Sequence, residues 1–366
     1  MIIPDVFSDI DPIAQSDGPE PACAITYTPE FVQAHDYLRA VLKADERSER
    51  AFELTTTCLK FNPANYTCWH FRRRCLVALC TPSGDDDDDD ARATIDVKRI
   101  DDDLEFAAKL GGTNPKNYQL WYHRRALLEI HFRGEETMIQ VAQKELDYVD
   151  MILDDDNKNY HAWSHRQWII RTINQPELWS AEIDYSHSKI LSDPRNNSAW
   201  NQRWFATHEG EIAVNNSGKN KLGGGKLTFD KAAEEANYAV CGAQVDPFNE
   251  SPWRYLIGVL MEQYRWAQRV EGADDKDKVN GLLREYVAKI KDMNKSWESP
   301  PTEDLPAGPC VSLMSALVDL LETIGDKSSL QEAKEMMGEL TVEDPVRRKY
   351  WHKRQGTVLI SLGKVS

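Results

Sequence analysis

No C-x-x-C pair occurs among the seven cysteines, and their number is odd. That excludes a complete disulfide framework and the common zinc modules, and it fits reduced thiols in a cytosolic protein. No apolar run approaches the roughly 18 residues that a membrane helix needs. The longest, Val311 to Leu321, is interrupted by Ser312, Ser315 and Asp319. Met1 to Asp11 has neither the basic start nor the apolar stretch of a secretory signal. A cytoplasmic protein without membrane insertion is therefore expected. Positive charge is also short: 44 Lys and Arg face 60 Asp and Glu, a net charge of −16. A nucleic-acid binder normally shows the opposite balance. No convincing alternating strand pattern occurs either, whereas 11 Trp and 13 Tyr in 366 residues are many.

The tryptophans mark an internal repeat. Asn62-Pro63-Ala64-Asn65-Tyr66-Thr67-Cys68-Trp69 returns as Asn114-Pro115-Lys116-Asn117-Tyr118-Gln119-Leu120-Trp121. It returns again at Asp156 to Trp163, Asp193 to Trp200 and Asp246 to Trp253, and a worn copy joins Asp344-Pro345 to Trp351. An arginine follows three residues after Trp in the first four copies, as Arg72, Arg124, Arg166 and Arg203, and Leu256 replaces it in the fifth. The Trp-to-Trp spacings of 52, 42, 37 and 53 are too irregular for a strict tetratricopeptide array. They suit helical hairpins with connections of unequal length.

Each motif reads as a helix start, with Asp or Asn as the cap and Pro at the first helical position. From that cap, Asn, Trp and Arg recur at helical spacing and share one stripe. This places Trp between hairpins, with Asn and Arg satisfying buried backbone groups around it. Partner helices lie upstream, at Ser48 to Lys60, Ile95 to Leu110, Val141 to Leu153, Trp179 to Leu191 and Phe229 to Val245. Further pairs are expected at Leu282 to Trp297 with Cys310 to Thr323, and at Ser328 to Leu340 with Arg347 to Leu362. The expected fold is all-α, a curved stack of six or seven antiparallel hairpins in a single repeat domain, 27–366, after a flexible tail, 1–26. Thr81 to Arg92, Asn215 to Leu227 and Ser299 to Pro309 read as loops.

Tyr66, Tyr118 and Tyr160 stand three residues before Trp in the first three copies, where the repeat does not require an aromatic. Such a row of phenols either packs between repeats or receives an elongated ligand. Lys116, Gln119, Lys158, Asn159 and His161 surround it. A helix start has donors and a partial positive charge, so two neighbouring starts with lysines suggest a site for a multiply charged anion such as a diphosphate.

The segments Asp36 to Leu42, Asp45 to Phe52, Asn65 to Arg73, Pro115 to Arg125, Lys158 to Trp168 and Arg195 to Arg203 resemble, in order, the α subunit shared by protein farnesyltransferase and geranylgeranyltransferase type I. The resemblance runs from about Tyr27 to Met261. It implies a right-handed crescent-shaped solenoid, an α-α superhelix, wrapped around a β subunit in a heterodimer. It implies that β holds the catalytic Zn2+ and the isoprenoid pocket, that Mg2+ supports farnesyl transfer, and that a zinc-bound thiolate of a C-a-a-X protein attacks C1 of a prenyl diphosphate. By the same resemblance Lys116 and Tyr160 meet the diphosphate, flanked by Asn159 and His161, with Tyr118 at the same edge. Gln119 binds the peptide carboxylate, and Tyr66 lines the groove through which product leaves.

Asp85 to Asp90 contains D-D-x-x-D, a pattern that binds magnesium diphosphate elsewhere. Six adjacent like charges between Gly84 and Ala91 instead read as a solvated loop. Asp101 to Asp103 reads as the polar face of a helix, and Gly223 to Lys226 lacks a P-loop frame. Two alternatives stand beside the main reading: a non-catalytic helical-repeat scaffold, and the α subunit of a Rab geranylgeranyltransferase.

Overall fold

A computed structural model describes residues 3–20, 22–23, 25–80, 96–112, 114–132, 138–215, 227–269, 273–298 and 309–365. Asp85 to Asp90 and Gly223 to Lys226 lie outside these residues, as does nearly all of Ser299 to Pro309. Every regular element among the described residues is helical. The chain forms two compact units, 1–173 and 174–366.

The first unit holds α1 (Ile3–Val6), α2 (Pro29–Ala44), α3 (Glu49–Phe61), α4 (Tyr66–Cys80), α5 (Val97–Gly111), α6 (Tyr118–His131), α7 (Met138–Asp155) and α8 (Tyr160–Ile173). The helices pair as α3 with α4, α5 with α6 and α7 with α8. Leu54, Leu59, Trp69 and Phe71 are fully buried in its core. Within the stretch read as a tail, Ile3 and Phe7 are buried. Arg50 lies over the Phe7 ring and pairs with Asp9, and Arg39 Nε donates to the Ile13 carbonyl.

The second unit holds α9 (Pro176–Ser192), α10 (Asn197–Asn215), α11 (Phe229–Val245), α12 (Glu250–Arg269), α13 (Ala273–Glu298), α14 (Val311–Ile324), α15 (Lys327–Glu343) and α16 (Arg348–Val365). Its core gathers Trp253, Tyr286, Leu317, Leu321 and Trp351. Helix α11 approaches so closely that a Cβ on Gly242 would stand 2.8 Å from the Trp200 ring. Only a residue without a side chain leaves room for that indole.

The helix starts differ from the expected register. Asp or Asn at the head of the motif is not the cap of the following helix. Asn62, Asp193 and Asp246 end α3, α9 and α11, their N–H groups donating to the carbonyls of Cys58, Lys189 and Gly242. Asn62, Asp156 and Asp193 then turn the chain, each side chain accepting from the amide two residues on. The cap is the asparagine three residues later. Asn65 Oδ1 accepts from Cys68 N at 3.0 Å, and Asn117 and Asn159 each take two amides of the first turn. The physical reason is economy of space: the two helices meet at a tight turn, so one polar residue closes the first and another opens the second. Only the worn copy follows the expected pattern, with Asp344 capping the 3-10 turn Pro345–Arg347 ahead of α16.

In the five full copies the Trp indole reaches back to a carbonyl of its own turn, whereas Trp351 of the worn copy donates to the Asp344 carboxylate at 2.8 Å. Trp69, Trp121, Trp200 and Trp253 donate to the carbonyls of Pro63, Pro115, Pro194 and Pro247 at 2.7–2.9 Å, and Trp163 donates to the Asn157 carbonyl at 3.0 Å. The amide of the next cap adds a second bond to the same acceptor: Asn117 to Pro63, Asn159 to Pro115 and Asn249 to Pro194.

Replacing one such indole removes core volume and the hydrogen bond together. Trp163→Ala should cost about 3–5 kcal/mol. Denaturant unfolding followed by circular dichroism tests this, and a loss below about 1 kcal/mol would contradict it.

Candidate functional site

Tyr66, Tyr118 and Tyr160 are each the first residue of a second helix, α4, α6 and α8. The caps Asn117 and Asn159 are buried and Asn65 is half-buried, and the tryptophans one turn on are buried. The tyrosines themselves are 73, 68 and 71 % exposed. The backbone therefore presents one phenol per hairpin largely to solvent.

Tyr118 and Tyr160 share a neighbour. The His161 ring meets Tyr118 edge-on at 4.2 Å and Tyr160 at 5.6 Å. Burial lowers the His161 pKa, which favours the neutral ring at pH 7. Gln119 is half-buried in the first turn of α6. Lys116 stands in the turn before that helix, not within its first turn, and its Nζ lies 3.2 Å from Asp156 Oδ2. Lys116, Tyr118, Tyr160 and His161 thus collect at the adjoining starts of α6 and α8, while Tyr66 occupies the equivalent place one hairpin earlier.

Two expectations about these helix starts need correction. The amides of Gln119, Leu120, His161 and Ala162 do not await an anion, because the side chains of Asn117 and Asn159 already occupy them. At this edge the lysine, phenols and imidazole stand outside those caps. Asn159 is itself 1 % exposed, with its carbonyl oxygen in the cap and its amide on the Pro115 carbonyl. Its side chain caps the helix that Tyr160 begins.

Asp103 is not on a solvated face. It is 2 % exposed and pairs with Arg72 at 2.5 Å and with His123 Nε2 at 2.8 Å. The next hairpins repeat this arrangement. Glu145 accepts from Arg124 at 2.5 and 2.8 Å and from His165 at 2.8 Å. Glu235 accepts from Arg203 at 2.7 and 2.8 Å and from Tyr255 at 2.7 Å, and Glu182 accepts from Gln202 at 2.6 Å. The stripe arginines therefore bind carboxylates across hairpins more than the backbone groups expected of them. A signal was present: Asp103, Glu145, Glu182 and Glu235 each lie 18 residues before a motif Trp, and so repeat its spacing.

Burial alone would raise the Glu145 pKa. The Arg124 charge and the hydrogen bonds from His165 and Arg124 outweigh it and hold the carboxyl down to about 2. For His123, burial lowers the pKa against the pull of Asp103. Its Nδ1 accepts from Arg73 at 3.4 Å, which leaves Nε2 to donate to Asp103.

Among the described residues, no group of three or more His, Cys, Asp or Glu could hold a metal ion. No helix among them is long and apolar enough to cross a membrane.

Stacked helical hairpins joined by buried Trp, Asn and Arg–carboxylate contacts define a helical-repeat protein. Residues 48–79, 100–131, 142–173 and 179–209 match the protein prenyltransferase alpha subunit repeat. An Arabidopsis thaliana protein farnesyltransferase/geranylgeranyltransferase type-1 subunit alpha is 32% identical over 97% of this chain and 95% of its own length. The tomato (Solanum lycopersicum) protein of the same name is 34% identical over 97% and 90%. A solved structure of Candida albicans protein geranylgeranyltransferase-I complexed with GGPP superposes with a TM-score of 0.67 at 22% identity, covering 96% of this chain and 98% of that one. The chain belongs to the family of α subunits shared by protein farnesyltransferase and geranylgeranyltransferase type 1.

The depressed Glu145 carboxyl fixes the sign of an acid response. A folded-state pKa below the unfolded value gives stability that is full above about 4.5 and is lost as pH falls through about 2. Glu145→Gln leaves Arg124 buried without its counter-charge and should cost about 3–5 kcal/mol at pH 7. Its unfolding free energy should also fall less steeply than wild type between pH 4.5 and 2. Parallel slopes in denaturant titrations across that range would contradict this.

Proposed function

We propose that this chain is the α subunit of a heterodimeric protein prenyltransferase. With one β subunit it moves a farnesyl group, and with another a geranylgeranyl group, from the prenyl diphosphate to the cysteine thiol of C-a-a-X proteins in the cytoplasm. What supports this reading is the meeting of Lys116, Tyr118, Tyr160 and His161 at two adjoining helix starts, in a chain of this family.

By the family resemblance, the catalytic zinc, the isoprenoid pocket and the site of Mg2+ are assigned to the β side. Zinc there supplies an ionised thiol. A sulfur–carbon bond forms at C1 as the carbon–oxygen bond breaks, and the diphosphate leaves with the electron pair. Negative charge grows on the bridging oxygen during that step. The Lys116 ammonium on its flexible stem, and the Tyr160 O–H at the start of α8, are the groups of this chain suited to meet that charge. The neutral His161 ring holds the Tyr118 and Tyr160 rings by edge contacts. Gln119 donates its amide to the terminal carboxylate of the peptide. Tyr66 borders the path of the leaving product.

Co-expression with a candidate β subunit, then assay of a C-a-a-X peptide with both prenyl diphosphates, tests the reading. The pair should transfer the prenyl group, and the rigorously purified single chain should not. Transfer by the single chain would overturn the assignment. In the assembled enzyme, Lys116→Ala should lower the single-turnover rate by roughly 10- to 1,000-fold. Affinity for the prenyl diphosphate should fall much less, since other cations hold the ground state. Tyr160→Phe should cause a smaller loss of the same kind, because it removes one neutral donor. An unchanged single-turnover rate for Lys116→Ala would remove that lysine from the site.

A further inference from the structure

The Lys116 cation is already engaged. Its Nζ lies 3.2 Å from Asp156 Oδ2, with the lysine side chain 71 % and the aspartate side chain 31 % exposed. The two partners are not equally free. Asp156 Oδ1 accepts from Lys158 N at 3.3 Å, the Asp156 N–H donates to the Ile152 carbonyl, and the Asp156 carbonyl accepts from Asn159 N. The turn that starts α8 and presents Tyr160 therefore also fixes this carboxylate. Lys116 reaches it on four methylenes from the turn ahead of α6.

We propose that Asp156 is the resting counter-ion of Lys116 and a positioning residue for the leaving group. It holds the ammonium while the site is empty, yields it to the diphosphate, and recovers it when the diphosphate departs. This rests on the assignment of Lys116 made above. A half-exposed ion pair is weak, worth about 2- to 5-fold in an equilibrium. A diphosphate carrying several negative charges displaces such a partner, yet the pair is strong enough to draw the lysine back and favour release.

The same edge contact recurs in the second unit, where Arg195 Nε lies 2.7 Å from Asp246 Oδ2. There the helix that follows Arg195 begins with Asn197 instead of an exposed tyrosine. That pair supplies an internal control. Asparagine occupies the position equivalent to Asp156 in the first two repeats, as Asn62 and Asn114, so Asp156→Asn is compatible with the turn.

The test uses the assembled α–β enzyme, with inorganic diphosphate as the probe. Asp156→Asn should tighten inhibition by inorganic diphosphate about 2- to 5-fold. It should also slow steady-state turnover relative to the single-turnover rate. Asp156→Glu should restore wild-type behaviour in part, and Asp246→Asn should change neither quantity. In a Lys116→Ala background the effect of Asp156→Asn should vanish. Unaltered inhibition by Asp156→Asn, alongside a slowed Lys116→Ala enzyme, would overturn the counter-ion role and leave the assignment of Lys116 standing. Equal tightening with and without Lys116 would overturn it too, because Asp156 would then act by direct repulsion. An unimpaired Lys116→Ala enzyme would overturn both assignments.

Discussion

One carbonyl per repeat carries the architecture. The Pro63 oxygen accepts the indole of Trp69 in its own turn and the amide of Asn117 in the next repeat. Pro115 and Pro194 do the same with their own Trp and the following Asn. A carbonyl has two acceptor positions, and both are filled by buried donors that would be costly to leave unmade. Trp, Pro and Asn are therefore not three separate preferences. They are the parts of one junction that closes a hairpin and registers it on its neighbour. At Pro247 the second donor is the Cys310 thiol instead, 2.9 Å away.

The Arg–carboxylate row works at the other level of the stack. Asp103, Glu145 and Glu235 each tie an arginine of the preceding hairpin to a polar partner two residues beyond their own Trp, as Glu145 does with Arg124 and His165. Burying charge is unfavourable unless both partners are fully engaged. Such rows penalise any misregistered hairpin, so they specify the stacking more than they stabilise it.

Much of this was legible before any coordinates. The Trp spacing located the second helices, apolar periodicity located the first, and the phenols before Trp69, Trp121 and Trp163 marked the edge where the candidate site lies. The resemblance, not the periodicity, supplied a use for them. The exact cap was misread because Asp-Pro and Asn-Pro are strong helix-start signals that also suit a tight turn, and only the hydrogen bonds separate the two. Asp103 was misread because a run of three acids looks solvated when the partners on other helices are unseen. Asn159 was grouped with the ligand residues because sequence adjacency to Tyr160 does not tell on which side of the chain it points. The Lys116–Asp156 pair spans two hairpins, and no local pattern announces it.

The constant separation of 18 residues from buried acid to Trp has a further consequence. From Trp to the next buried acid the separation varies, 24 from Trp121 to Glu145, 19 from Trp163 to Glu182 and 35 from Trp200 to Glu235. All variation in repeat length therefore falls after the Trp, in the end of the second helix and the connection to the next hairpin, and none in the turn inside a hairpin. In antiparallel pairs these lie at opposite ends of the helices, about 20 Å apart for a helix of 14 residues such as α6. The tyrosines occupy the turn end. Insertions and deletions can accumulate at one end of every hairpin while the turns that carry the tyrosines keep their geometry. The fold thus separates the face that can drift from the face that cannot.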